Sequence, residues 1–219
     1  TPELFPLIVL KMIRMSLKYG TSSALISTYG GYGILLCGIT REMDEGYAYG
    51  QESLKMLTTF PNARQVSSQT LVIYTTFINH WKDHLKESFP LLMRSYVDAM
   101  ETGDQEFAAG SLFVHSYHSF VAGESLATLT DRIATHHQKI VGLNQKSYEF
   151  YNTIGYQAMV NLLQNGSNPA ILKGEIFDED EVEKQLAGEA VIPPAAVLRE
   201  KWENTVQDVL RKATLKVPS

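Results

Sequence analysis

The sequence predicts an all-α protein of stacked antiparallel helical hairpins, a tetratricopeptide-like array with a repeat of about 40 residues and a C-terminal docking helix. Two observations lead to this prediction. Stretches without charge alternate regularly with charged segments, and apolar residues recur with helical rather than strand periodicity. The chain has 219 residues, of which 44% are apolar and 20% charged, so it is long and apolar enough to form a core.

The spacing of charge is the stronger of the two observations. Four stretches contain no Asp, Glu, Lys or Arg: 19–40, 65–81, 107–123 and 151–172. Amphipathic, charged segments lie between them, at 42–60, 82–101 and 124–139. We therefore expect uncharged inner helices that are covered on most sides, and charged outer helices that each keep one solvated face.

The first predicted helix precedes these stretches. Its apolar residues follow i, i+3 and i+4 spacing: Leu4, Leu7, Ile8, Met12 and Met15. Gly20 is suited to end this helix in the left-handed conformation, and Thr21 or Ser22 to cap the next one.

The stretch 19–40 is long enough to cross a membrane, but its serines, threonines and three tyrosines lower its hydrophobicity. The sequence therefore predicts no membrane span. A dinucleotide-binding G-x-G-x-x-G motif is incomplete here, because Leu36 occupies the place of its third glycine. We expect Gly30, Gly31 and Gly33 to let helices approach closely instead, and Cys37 to be an inert thiol in apolar surroundings.

The second charged segment repeats the helical spacing with Leu85, Phe89, Leu92 and Tyr96. Gly103 is expected to end this helix, and Asp104 to cap the next.

The composition changes after residue 172. We predict a helical-repeat domain at 1–172, an acidic, proline-containing linker at 173–193, and an amphipathic helix and tail at 194–219. The apolar stripe of this last helix contains Leu198, Trp202, Val209 and Leu210. We expect it to dock on the array around residues 151–163, because an isolated helix of about 20 residues is only marginally stable.

Two pairs of histidines have the spacing of metal ligands. His80 and His84 lie one helical turn apart, and His115 and His118 are three residues apart. No H-E-x-x-H or E-x-x-H pattern accompanies them, so packing at the hairpin turns is the favoured interpretation. The sequence predicts no cofactor. The residues proposed for interaction are aromatic: Tyr29, Tyr32, Trp81, Tyr117 and Trp202.

Charge and cysteine content exclude several classes of function. The net charge of −5 argues against nucleic acid as a partner, because such proteins need a concentrated basic face. The single cysteine excludes an intramolecular disulfide and favours a cytoplasmic location. P-loop, protein-kinase and G-x-S-x-G motifs are absent, so we expect a chain that is not by itself an enzyme and acts through protein partners or flanking domains.

Several ordered motifs resemble the tetratricopeptide-like helical region of large multi-sensor signalling proteins. They are L-K-Y-G at 17–20, Y-G-I-L-L-C-G at 32–38, F-I-N-H-W at 77–81, E-T-G-D at 101–104 and V-H-S-Y-H-S at 114–119. Proteins of that family carry serine/threonine kinase, AAA-type ATPase, GAF and histidine kinase domains, and their helical region is not catalytic. The resemblance covers about residues 1–170, and it implies a scaffold or relay module in a two-component signalling protein.

A second resemblance concerns about residues 173–219. The run G-E-I-F-D-E-D-E-V at 174–182, followed by Pro194 and Trp202, resembles a segment near the C-terminus of the structural subunit of the phenylacetyl-CoA epoxidase complex. That subunit is a non-catalytic, ferritin-like helical bundle. The resemblance implies an alternative function, a structural subunit of a multicomponent oxygenase.

Overall fold

A computed structural model describes residues 4–20, 22–163 and 171–180. These residues contain no β-strand apart from one isolated bridge between Lys173 and Asp178, which confirms the all-α prediction. Eight α-helices lie within them: α1 (Leu4–Tyr19), α2 (Ile26–Leu35), α3 (Met43–Thr59), α4 (Ser67–Phe77), α5 (Ser88–Thr102), α6 (Gln105–Val121), α7 (Leu126–Gly142) and α8 (Lys146–Leu163).

The alternation of charge corresponds to the order of the helices. The charge-free stretches provide α2, α4, α6 and most of α8, and the charged segments provide α3, α5 and α7. Each charge-free helix contacts the next one, from α2 to α4, α6 and α8. The charged helices α3, α5 and α7 each pack against the charge-free helices before and after them. A tetratricopeptide-like repeat within this arrangement stays a prediction.

Glycine turns end two helices as expected. Gly20 follows α1 with a φ of 90°, and Gly103 follows α5 with a φ of 78°, a conformation that glycine adopts without strain. Asp104 caps α6, because its Oδ1 accepts a hydrogen bond of 3.1 Å from the amide of Phe107. Of the two predicted caps of the next helix, Thr21 lies outside the described residues, and Ser22 precedes a short 3₁₀ segment without a capping bond from its side chain.

The first helix is correctly predicted, but its apolar stripe is not the buried face. The buried residues of α1 are Pro6, Val9, Ile13 and Ser16. Val9 and Ile13 pack with Leu35 of α2, which leaves the residues that carry the predicted periodicity on the far side. Leu4, Leu7, Ile8 and Met15 are accordingly about half exposed.

Small residues bring α2 and α3 into close contact, as the sequence predicts. A Cβ added to Gly33 would lie 2.8 Å from the carbonyl oxygen of Gly46, and one added to Gly46 would collide with the Cys37 sulfur. Any larger side chain at either glycine therefore requires the helices to separate. Cys37 is buried in this contact, and burial raises the pKa of its thiol, as expected for an unreactive cysteine.

Candidate interaction surface on α6 and α8

Helix α6 is covered on most of its circumference by α4, α5, α7 and α8. From Phe107 onward it contains no charged residue, and its accessible positions form one apolar stripe. The members of this stripe are Phe113, Tyr117, Phe120 and Val121. Tyr117 is 56% exposed and Val121 57%, which is unusual for a helix that otherwise lies in the core.

Aromatic rings of α8 continue this stripe. The ring of Phe113 lies 6.5 Å from that of Tyr117, in a stacked arrangement, and 6.1 Å from that of Tyr151. The ring of Phe150 follows, 6.0 Å from that of Tyr151. Tyr151 is 54% exposed. We call Phe113, Tyr117, Phe150 and Tyr151 the aromatic surface.

Close packing of α6 on α8 fixes the spacing of these rings. A Cβ at Gly110 would lie 3.0 Å from the hydroxyl oxygen of Tyr148, so glycine leaves the space that the tyrosine occupies. The Tyr148 ring in turn lies 6.0 Å from that of Phe113. Burial, and then the nearby Glu106 and Asp104, raise the pKa of Tyr148, so its hydroxyl stays neutral beneath the aromatic surface.

Residues 171–180 border the aromatic surface, because they fold back on α8. The Oε1 atom of Gln157 accepts hydrogen bonds from the amides of Ile176 and Phe177, at 3.2 and 3.3 Å. Asn161 donates to the carbonyl of Ile171 at 2.8 Å, and the Phe177 ring lies edge-on to Phe150 at 6.0 Å. This part of the predicted linker is therefore held against the helix by hydrogen bonds between the side chains of α8 and its own backbone. The helix predicted at 194–219 lies outside the described residues.

The aromatic residues predicted for interaction lie in different surroundings. Tyr117 belongs to the aromatic surface, and Trp81 lies beyond the end of α4, 42% exposed, with its indole nitrogen donating to the carbonyl of Phe77. Tyr29 and Tyr32 are half-buried and pack against the core of α1 and α2. Trp202 lies outside the described residues.

The predicted histidine pair His80 and His84 does not lie on one helical turn. His80 belongs to a short 3₁₀ segment, Asn79–Trp81, and the chain then leaves the helical conformation. His84 has extended backbone angles, and its Nδ1 accepts a hydrogen bond of 3.2 Å from the amide of Lys86. The two histidines therefore lack the geometry of ligands on one helical turn, because spacing along the sequence gives that geometry only where the helix continues.

His115 and His118 are buried in a histidine layer between α5, α6 and α7. The Nδ1 of His118 lies 2.8 Å from the hydroxyl of Ser88, and the ring of His115 lies 5.4 Å from that of His136. His136 in turn has its Nδ1 2.9 Å from the hydroxyl of Ser116. The Nδ1 of His115 has no hydrogen-bond partner. We call His115, His118 and His136 the histidine layer.

Burial keeps the histidine layer neutral. It lowers the pKa of each of the three imidazoles to about 4, and neighbouring cations or imidazoles add to the effect. Arg132 is one of these cations, and it pairs with Glu124 at 2.5 Å. Among the described residues, no group of three or more His, Cys, Asp or Glu side chains is arranged to hold a metal ion.

One helical segment of the described chain is long and apolar enough to cross a membrane. It is the window Ser23–Thr40, with a mean hydropathy of 1.2. The assignment of this window as a candidate span depends on length and composition alone, and 44% of the window is buried inside the protein. A core helix of a soluble protein passes the same test, so the absence of a span stays a prediction.

Sequence reasoning missed two features of these sites. The first is Phe113, whose ring connects Tyr117 of α6 to Tyr151 of α8. The i, i+4 spacing of Phe113 and Tyr117 in a charge-free stretch could have indicated that the two rings share one face. The adjacent His136 and His137 lie on different faces of α7. His137 contacts Asn152 and Tyr156 of α8, whereas His136 faces α6 and completes the histidine layer.

Comparison with known proteins gives one match to a curated protein. The chain is 22% identical, over 99 residues, to hybrid signal transduction histidine kinase G of Dictyostelium discoideum. The matched region is 45% of this chain and 3% of that protein. No family model and no solved structure matches. The match links the chain loosely to multi-domain signalling proteins, and no comparison supports the resemblance of residues 173–219 to an epoxidase subunit.

Proposed function

We propose that this chain is a non-catalytic scaffold or relay module of a multi-domain signalling protein in the cytoplasm. It acts by binding a flanking domain of the same polypeptide, or a separate protein, through the aromatic surface. The similarity to a hybrid histidine kinase supports the signalling context. The contact itself is proposed from the side chains of α6 and α8.

The observation that carries this proposal is the exposure of aromatic rings on a helix that is otherwise buried. Tyr117 and Tyr151 keep more than half of their surface in water, although α6 and α8 lie among the charge-free helices. Tyrosine supplies a large contact area at a low entropic cost and is enriched where proteins meet. The half-buried Phe113 lies between the two tyrosines and keeps their spacing fixed.

The non-catalytic part of the proposal is supported by the chemistry of the titratable groups. The imidazoles whose pKa values are lowered most are those of the histidine layer. They are enclosed by serine hydroxyls and packed helices and are not open to a substrate. No nucleotide-binding motif occurs in the sequence. We expect the purified chain to show neither ATP hydrolysis nor autophosphorylation; either activity, absent from a mock purification, would contradict this part.

The aromatic surface is tested with the double variant Tyr117→Ser/Tyr151→Ser. A matched control is Val97→Ser/Met100→Ser on the charged helix α5, where the two side chains are 49% and 48% exposed. Cross-linking in cells, read by mass spectrometry, should give partner links for the wild type and the control. Loss of two hot-spot tyrosines should weaken the contact on the order of 30-fold or more.

Equal cross-linking of both double variants would contradict the proposed surface. Circular dichroism and thermal unfolding of each variant separate a lost contact from a lost fold, since substitutions at exposed positions change stability little.

A further inference from the structure

Helix α1 exposes an apolar stripe that the rest of the described chain covers only in part: the Thr28 hydroxyl of α2 reaches the Met12 sulfur at 3.8 Å, and the other members are about half exposed or more. Its members are Leu4, Phe5, Ile8, Met12, Met15 and Tyr19; two further exposed leucines of α1, Leu7 and Leu17, lie outside this stripe. With 3.6 residues per turn, these positions lie side by side over roughly a quarter of the helix circumference. The side chains that hold α1 on the protein, among them Val9 and Ile13, adjoin one edge of this stripe.

A row of cations borders the other edge of the stripe. Lys11, Arg14 and Lys18 lie at i, i+3 and i+7, are all exposed, and therefore share one face of the helix. No acidic residue occurs within Leu4–Tyr19. The outer helix α5, by contrast, mixes signs on its exposed face, as does α7. Of the three helices α1, α5 and α7, α1 is therefore the one in which charges of a single sign lie beside an exposed apolar stripe.

We propose that α1 binds an anionic lipid surface, with its apolar stripe in the headgroup boundary and its basic row on the lipid phosphates. Basic amphipathic helices of this kind lie in the plane of a membrane interface. The proposal concerns a surface contact and not a membrane span. It is independent of the aromatic surface, which belongs to α6 and α8.

The width of the exposed face favours a membrane over an acidic protein helix. Stripe and basic row together occupy about half of the circumference of α1, more than the narrow seam that one partner helix covers. A planar surface contacts both at once. Tyr19, near the C-terminal end of the stripe and 72% exposed, is of the kind that locates at the boundary between lipid and water.

Vesicle co-sedimentation of the full chain tests the proposal. Vesicles of phosphatidylcholine, with or without phosphatidylserine, are compared at low and high salt. We expect binding only with phosphatidylserine, and a loss of binding in high salt, because salt screens exposed charges. The triple variant Lys11→Gln/Arg14→Gln/Lys18→Gln should bind about 100-fold more weakly, since each cation near an anionic surface contributes about fivefold.

Matched controls separate the local site from net charge and from general hydrophobicity. Lys55→Gln/Lys86→Gln/Lys146→Gln removes three exposed cations elsewhere and should bind like the wild type. Leu4→Ser/Ile8→Ser should weaken binding, whereas Val97→Ser/Met100→Ser on α5 should not. Each variant is first shown to have the wild-type circular dichroism spectrum.

Three results would overturn the proposal. The first is no binding to phosphatidylserine vesicles, and the second is equal binding to neutral and anionic vesicles. The third is that the two triple variants, in which cations are replaced by glutamine, weaken vesicle binding equally. Binding of an acidic amphipathic peptide without binding to vesicles would assign α1 to a protein partner instead. Failure here leaves the cross-linking test of Tyr117 and Tyr151 unaffected, because that test reports on another surface.

Discussion

The two halves of the described chain are held together by different chemistry. Helices α2, α3 and α4 meet at glycines, where the backbone of α2 contacts that of α3 and side chains from α4 and the residue that follows it pack directly on the backbones of both. Gly30 faces Ile73 of α4, and Gly50 faces Tyr74 and Ile78. Helices α5, α6 and α7 meet instead through buried hydroxyls and imidazoles, which need partners for their hydrogen bonds.

A chain of hydroxyls illustrates the second kind of packing. Ser111 of α6 donates to Ser95 of α5 at 2.7 Å, and Ser95 donates to the carbonyl of Ser68 in α4 at 3.0 Å. The contacts at the glycines therefore depend on the volume of the side chain at each glycine position, and we expect them to be insensitive to pH. The hydrogen-bonded half is sensitive to pH, because its imidazoles must stay neutral.

Acidification should have the largest effect. In the folded state the pKa of each imidazole of the histidine layer is about 4, below the value of about 6.5 in an unfolded chain. Between these two values the unfolded state binds more protons, so stability is complete above pH 6.5 and falls as the pH drops toward 4. A shift of this size corresponds to about 3 kcal/mol for each histidine, enough to unfold the domain in acid.

Urea unfolding at several pH values measures this loss. His136→Phe should lower the slope of stability against pH by about one proton, whereas Gly46→Ala should leave the slope unchanged. A stability that is constant from pH 7 to pH 4 would show that the imidazoles are not kept neutral by the fold.

Adding a methyl group at Gly46 should have the next largest effect. The new Cβ would collide with the Cys37 sulfur and lie 2.9 Å from the carbonyl oxygen of Gly33, so α2 and α3 must separate. We expect a loss of about 2–3 kcal/mol in the free energy of unfolding.

The matched control for this substitution is Gly155→Ala. Gly155 lies within α8, and nothing is within 4 Å of a Cβ added there. Removing a flexible glycine from the helix should stabilise the protein by about 0.5–1 kcal/mol. A thermal midpoint that rises for Gly46→Ala, as it should for Gly155→Ala, would contradict the close contact between α2 and α3.

Breaking the hydroxyl chain should have the smallest effect of the three. Ser111→Ala removes the donor to Ser95 and should destabilise the protein by about 1 kcal/mol, because Ser95 keeps its own bond to the Ser68 carbonyl. Ser95→Ala should destabilise it by a similar amount, because the Ser68 carbonyl loses a donor whereas Ser111 keeps its hydrogen bond of 2.7 Å to the carbonyl of Phe107. A double-mutant cycle measures the coupling, and strict additivity of the two substitutions would show that the bond contributes nothing.

Much of this molecule was predictable from local patterns. The charge-free stretches correspond to α2, α4, α6 and most of α8, and the pair Gly103 and Asp104 separates α5 from α6 as expected. The sequence predicts that Gly33 allows a close approach of two helices, but it does not predict that Gly46 is the residue on the other helix. The spacing of His80 and His84 does not give one helical turn, because α4 ends at Phe77, before both residues, and only a short 3₁₀ segment follows.

The sequence by itself determined where the helices lie and which of them are uncharged, because periodicity and charge act over a few neighbouring residues. Only the tertiary structure decided which face of α1 is buried, that His136 joins His115, and that Phe113 connects Tyr117 to Tyr151. These outcomes depend on which helices become neighbours in space. A stripe such as that of Leu4 and Ile8 has the same helical spacing whether or not another helix covers it.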